Sequence, residues 1–121
     1  RYKSWTDNRT YGYRHCCIPN LEWTTTGRMY YAREWHTASV LTSGKVLVAG
    51  GLGVGGVIRL NSAELYDPST RMWTTTGHMN YGREWHVESI LINGKVLAIG
   101  GMDDKGRLKS AEFSYPLHVS P

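Results

Sequence analysis

His36-Thr-Ala-Ser-Val-Leu-Thr-Ser-Gly-Lys-Val-Leu-Val-Ala-Gly-Gly51 decides the fold, and the chain writes it again as His86-Val-Glu-Ser-Ile-Leu-Ile-Asn-Gly-Lys-Val-Leu-Ala-Ile-Gly-Gly101. Each copy opens with a short segment ending on β-branched and apolar residues, His36 to Leu41 or His86 to Leu91. A tight turn follows, at Thr42-Ser43-Gly44 or at the strong hairpin dipeptide Asn93-Gly94. The chain then returns through an apolar strand, Lys45 to Gly51 or Lys95 to Gly101, which its paired glycines terminate. Both copies therefore read as antiparallel hairpins of fixed register.

Working outward, Trp23-Thr-Thr-Thr-Gly27 returns as Trp73-Thr-Thr-Thr-Gly77, and Tyr31 with Arg33-Glu-Trp-His36 returns as Tyr81 with Arg83-Glu-Trp-His86. Residues 23–51 and 73–101 share 19 identities in 29 positions at a constant offset of 50, which marks a repeat architecture. One such unit cannot bury its own apolar faces, so each copy implies neighbours stacked against it.

Between the hairpins, the glycine-rich loop Leu52 to Leu60 leads to a strand at Ser62-Ala-Glu-Leu-Tyr66. Asp67-Pro68-Ser69-Thr70 is a turn, and a fourth strand begins at Met72-Trp73 and ends by Gly77. No window offers a helix of three turns. The near-continuous apolar runs Val46 to Ala49 and Val96 to Ile99 predict small sheets covered on both faces, as when sheets stack radially.

Arg33 and His36, the double glycine Gly50-Gly51, the run Ser62-Ala-Glu-Leu-Tyr66-Asp67-Pro68, Trp73 and Met79 together resemble the kelch repeat over about residues 23–116. The resemblance implies an all-β fold: a partial kelch-type β-propeller of about two four-stranded antiparallel blades plus an extra outer strand. It places His36 to Leu41 along the central channel, Lys45 to Gly51 second, Ser62 to Tyr66 third and Trp73 to Thr76 outermost. The next blade follows as His86 to Leu91, Lys95 to Gly101 and Lys109 to Phe113. The implied organisation is a divergent segment 1–22, an outer strand 23–27, a blade 36–77, an incomplete blade 86–116 and a tail 117–121.

The chain departs from the pattern in three places. Its second copy carries Ala111-Glu-Phe-Ser-Tyr-Pro116 after a loop, Met102 to Leu108, that is two residues shorter. The tail lacks a tryptophan strand, and Arg1 to Glu22 matches no preceding blade, with only a faint echo at Tyr11-Gly-Tyr-Arg-His15. Closed propellers have about four to eight blades. The chain is then a piece of a longer product, a truncated copy without function, or a unit whose head-to-tail copies complete one another.

Charge and cysteines narrow the function. Fourteen Lys and Arg against ten Asp and Glu give a net charge of +4, but the basic residues are scattered at repeat-matched places, which argues against a nucleic-acid partner. Cys16-Cys17 are sequence neighbours and imply no disulfide framework. No apolar stretch reaches about 18 residues, so no membrane partner is expected within this segment, and no signal peptide is expected in it either. Asn8-Arg9-Thr10 matches a glycosylation acceptor, a pattern too short to be specific.

The segments joining one blade to the next, Arg28 to Trp35 and His78 to Trp85, supply the candidate contact residues. These are Arg28, Tyr31, Arg33, Trp35, His78, Tyr81, Arg83 and Trp85, types that carry large area with a polar handle. Arg33 and Arg83 read alternatively as tethers to loop carbonyls, and Trp35 and Trp85 as packing between blades. Glu34 and Glu84 read as solvated charge, His36 and His86 as strand-end hydrogen-bonding groups, and Asp103-Asp104 as a polar turn rather than a cation site. Glu88 replaces Ala38 on a strand expected to be covered, so its carboxylate needs a partner, with Arg83 a candidate. The resemblance implies a non-catalytic module with no cofactor, recognising a protein or peptide through these rim loops. A galactose-oxidase-like or carbohydrate-binding extracellular propeller is the alternative; copper would need converging histidine and tyrosine ligands, whereas here they recur in separate blades.

Overall fold

A computed structural model describes residues 22–115. The segment before Glu22, with Cys16, Cys17, the Asn8 acceptor and the Tyr11 to His15 echo, lies outside the described residues, as does the tail after Tyr115.

Both expected hairpins form. The first joins β1 (Thr37–Val40) to β2 (Val46–Ala49), in register from Thr37 opposite Ala49 to Val40 opposite Val46. Its turn is closed by Gly44, at φ 85°, whose amide donates to the Leu41 carbonyl at 2.9 Å. A short 3-10 turn, Val54–Gly56, sits in the loop leading to β3 (Ala63–Asp67). The Asp67 carboxylate then accepts from the Ser69 amide and hydroxyl, folding the chain back into β4 (Met72–Thr75). The sheet order β1-β2-β3-β4 is a four-stranded antiparallel meander.

The second copy repeats three of these strands as β5 (Val87–Ile90), β6 (Val96–Ile99) and β9 (Ala111–Ser114), in the order β5-β6-β9. Its shorter loop, Met102 to Leu108, carries two short strands of its own. It zips into a two-stranded ribbon, β7 (Met102–Asp103) with β8 (Gly106–Arg107), because the Asp103 carboxylate caps the turn by accepting the Lys105 amide at 2.8 Å. Asp103 thus ends β7, and Asp104-Lys105 form the turn.

The two sheets face each other. Leu47, Ala49, Ala63 and Leu65 from the first cluster with Val96 of the second, and Leu41 packs against them. Each buried leucine contributes about 1.5–3 kcal/mol through removal from water. All of this is a partial β-propeller-like all-β fold, with one sheet of four strands and one of three.

The expected outer strand Trp23 to Gly27 pairs in no sheet among the described residues. Only its end is held: the Gly27 amide donates to the Arg71 carbonyl at 3.3 Å, and Trp73 Nε1 donates to the Gly27 carbonyl at 3.1 Å. A strand needs a ladder partner, and no described strand precedes it to supply one.

Candidate functional site

The double glycine positions the rim. Gly51 (φ 95°) turns so tightly beneath the preceding rim segment that an added Cβ would stand 2.5 Å from the Glu34 carbonyl oxygen. Gly101 makes the same approach to Glu84, at 2.4 Å. Antiparallel bridges Glu34 to Leu52 and Glu84 to Met102 then fasten each rim segment to the loop after its own second strand.

Arginine completes the fastening. Arg33 Nη1 donates to the carbonyls of Gly50 (2.8 Å) and Ser62 (3.1 Å), while Nη2 reaches Glu64 Oε2 at 2.7 Å. Glu64 in turn accepts the amides of Tyr30 and Tyr31 at 2.5 and 3.1 Å. Every bond recurs in the second copy: Arg83 binds Gly100, Ser110 and Glu112, and Glu112 accepts the amides of Asn80 and Tyr81. Both arginine side chains have 0% exposure, so their guanidinium groups present nothing to a partner. The tether reading holds for Arg33 and Arg83, and the contact reading does not. Burial pushes the Glu64 and Glu112 carboxyls up, but the converging amides and arginine outweigh it and leave both below the ordinary glutamate value.

Burial separates the remaining six candidates from the arginines. Arg28, Tyr31, Trp35, His78, Tyr81 and Trp85 are all exposed. Trp35 and Trp85 are brought together across the two sheets, ring centroids 4.6 Å apart at 50°, with the Trp85 amide donating to the Trp35 carbonyl at 3.2 Å. Both sit at positive φ, 54° and 56°, a region unfavourable for a bulky aromatic residue. Each is nevertheless about half exposed, 48% and 53%. Tyr31 stacks edge-on against Tyr30. Arg28 and His78 make no side-chain hydrogen bond or ion pair with another described residue.

Two polar clusters stitch the sheets together. Arg59 Nε reaches Glu84 Oε1 at 3.0 Å, and its Nη1 reaches Asp104 at 3.2 Å. Glu84 is therefore buried and paired, where solvated charge was expected, because the neighbouring sheet's loop brings a cation over it. Below, Thr37 Oγ1 lies 2.8 Å from His86 Nε2 and donates to Glu88 Oε1 at 3.0 Å. With that proton given to Glu88, the hydroxyl oxygen can accept from a His86 Nε2–H. Burial, then Arg83, then His36 lower the His86 pKa to about 4. His36, more open, is lowered by burial and Arg33. Burial raises Glu88 against the hydroxyls of Ser39 and Thr37. Arg83, the partner expected for Glu88, is committed to Glu112 instead.

A cleft of about 430 Å³ opens between the sheets, with Leu47, Leu65, Val96 and Phe113 on its walls and His78 among its lining residues. No group of three His, Cys, Asp or Glu able to hold a metal ion occurs among the described residues. No helix among them is long and apolar enough to cross a membrane.

The Glu64 and Glu112 anchors escape a reading for chemistry, although Ser-Ala-Glu recurs in both copies at Ser62 to Glu64 and Ser110 to Glu112. The Arg59–Glu84 pair leaves no local trace, since it joins residues 25 apart through the stacking of sheets. The chain matches no family model, and no curated protein matches it.

Proposed function

We propose that this chain is a kelch-type propeller module that recognises a protein or peptide through the rim bearing Trp35 and Trp85, without catalysis. The observation that carries the reading is the tryptophan pair. Two large aromatic residues are held at backbone angles that cost on the order of 1–3 kcal/mol each, yet each residue stays about half exposed. Packing alone would bury the rings it strains the backbone to place. A stacked, half-exposed aromatic pair on rim segments that also expose Tyr31, Tyr81, Arg28 and His78 has the composition of a contact hot spot.

Display panning of a random peptide library against the full chain, with the Trp35→Ala/Trp85→Ala double variant as counter-selection, tests the reading. Peptides enriched on the parent chain should lose affinity about tenfold or more on the variant, a loss of about 1.4 kcal/mol or more. Failure to enrich any peptide that discriminates the two proteins would overturn it. The exposed tryptophan faces also suit the apolar face of a sugar ring, which is the observation favouring the carbohydrate reading. A glycan array probed with the same two proteins decides between them.

A further inference from the structure

The interface inside the chain is a template for the surfaces it leaves open. The first sheet covers the second with Leu47, Ala49, Ala63 and Leu65, all buried. The repeat-related residues of the second sheet, Leu97, Ile99, Ala111 and Phe113, form the same face and, among the described residues, are faced by no third sheet; Ile99 stays 40% exposed, and Phe113, with only Tyr115 and Lys95 of its own sheet against its ring, 48%. Charge follows the same rule. Arg59 pairs with Glu84 across the internal interface, whereas their counterparts Arg107, on β8, and Glu34 are exposed at opposite ends of the stack and have no ion-pair partner among the described residues. The edge of β9 continues the pattern. In the first sheet β3 pairs with β4, Leu65 opposite Thr74 and Tyr66 opposite Trp73. Among the described residues β9 has no such neighbour, and Trp23-Thr-Thr-Thr26, identical to Trp73-Thr-Thr-Thr76, has no ladder.

We propose that the occupant of this face is a second copy of the chain, stacked head to tail, its first sheet on the second sheet of its neighbour. Arg107 of one copy pairs with Glu34 of the next as Arg59 pairs with Glu84. The Trp23 to Thr26 segment of the next copy adds to the β9 edge, placing its Thr24 opposite Phe113. Charge complementarity and continuity with an existing interface single out this occupant. Two copies give four sheets and three give six, within the range of closed propellers. The inference stands on the internal interface and does not depend on what the rim recognises.

Light scattering coupled to size exclusion on the full chain, loaded at about 100 μM to favour assembly by mass action, tests it. The expected mass is two or three times the 13.7 kDa of one chain. Glu34→Arg and Arg107→Glu each place like charges in the interface and should weaken assembly about tenfold or more, while the double variant E34R/R107E restores it. Ile99→Arg should give a folded single chain by circular dichroism. A parent chain that elutes as one copy, or an assembly that both single charge variants leave intact, would overturn the proposal.

Discussion

Glu34 and Glu84 hold the same place in the repeat and live in opposite surroundings: one is exposed, the other buried against Arg59. His36 and His86 differ in the same way, as do Leu65 and its counterpart Phe113 in the reverse sense. The arginine tethers, by contrast, are alike in every bond. Bonds within one sheet and its rim are written into the repeat, whereas burial between sheets belongs to whichever neighbour is present. Substitutions at matched positions separate these two kinds of stability.

The tethers carry the largest effect. Arg33→Ala or Arg83→Ala leaves two carbonyls and a carboxylate without their cation, at a cost of about 3–5 kcal/mol for a buried pair. The loss should be greater at Arg33, because its partner Glu64 is 1% exposed and Glu112, the partner of Arg83, is 14%. Urea denaturation measures both. A cost below about 1 kcal/mol at either site would break the claim that the rim is held from within each sheet.

Next come the glycines Gly50 and Gly100, which share a φ of 66° and 65°. Alanine at either incurs the left-handed penalty, about 1 kcal/mol. At Gly50 the new Cβ also stands 2.6 Å from the Arg83 carbonyl oxygen and 2.7 Å from the His86 ring, both in the second copy of the repeat. At Gly100 the nearest atom is the Leu108 carbonyl oxygen at 3.4 Å. Gly50→Ala should therefore cost about 1–3 kcal/mol more, the strain of overpacking. Equal costs would mean that the two sheets do not stack as described.

That contrast also explains what was legible in the sequence. Hairpins at Thr42 to Gly44 and Asn93-Gly94, and strands bounded by Gly50-Gly51 and Asp67-Pro68, are set by nearby residues and could be placed within a residue or two. Arg33 and Arg83 were found as important positions, but sequence alone left open whether they tether or touch a partner, since that depends on distant Ser62, Glu64, Ser110 and Glu112. Glu84 was misjudged because its cation arrives from the adjacent sheet. The short ribbon β7-β8 leaves no strand pattern in the sequence, because each arm has only two residues and a single side chain, Asp103, caps its turn.

His86 gives a smaller effect, readable through pH. Folded, it resists protonation until about pH 4, while the unfolded chain takes up that proton near the ordinary 6.5. Between those values the unfolded state binds more protons, so the contribution is complete above pH 6.5 and lost as pH falls toward 4. Its size is about 1–2 kcal/mol, after allowance for solvent screening at the sheet edge. His86→Gln should flatten the thermal midpoint across this window, and an unchanged slope would show that the second histidine is no more enclosed than His36.

Glu88 should move stability least, and with the opposite sign. Its carboxyl is raised above 4.5 in the folded chain, so ionisation above that raised value disfavours folding, and stability returns as pH falls through it. Glu88→Gln keeps an acceptor for the Thr37 hydroxyl and removes the charge, so it should stabilise the chain at pH 7 by under about 1 kcal/mol. The gain should fade as pH drops toward 4.5, where the parent carboxyl is neutral as well. Because His86 acts oppositely over part of this range, the comparison is cleanest in a His86→Gln background, measured by thermal denaturation at a series of pH values. A gain that persists undiminished below pH 4.5 would assign the effect of Glu88 to shape, and its counterpart Ala38 would then differ from it in packing rather than in charge.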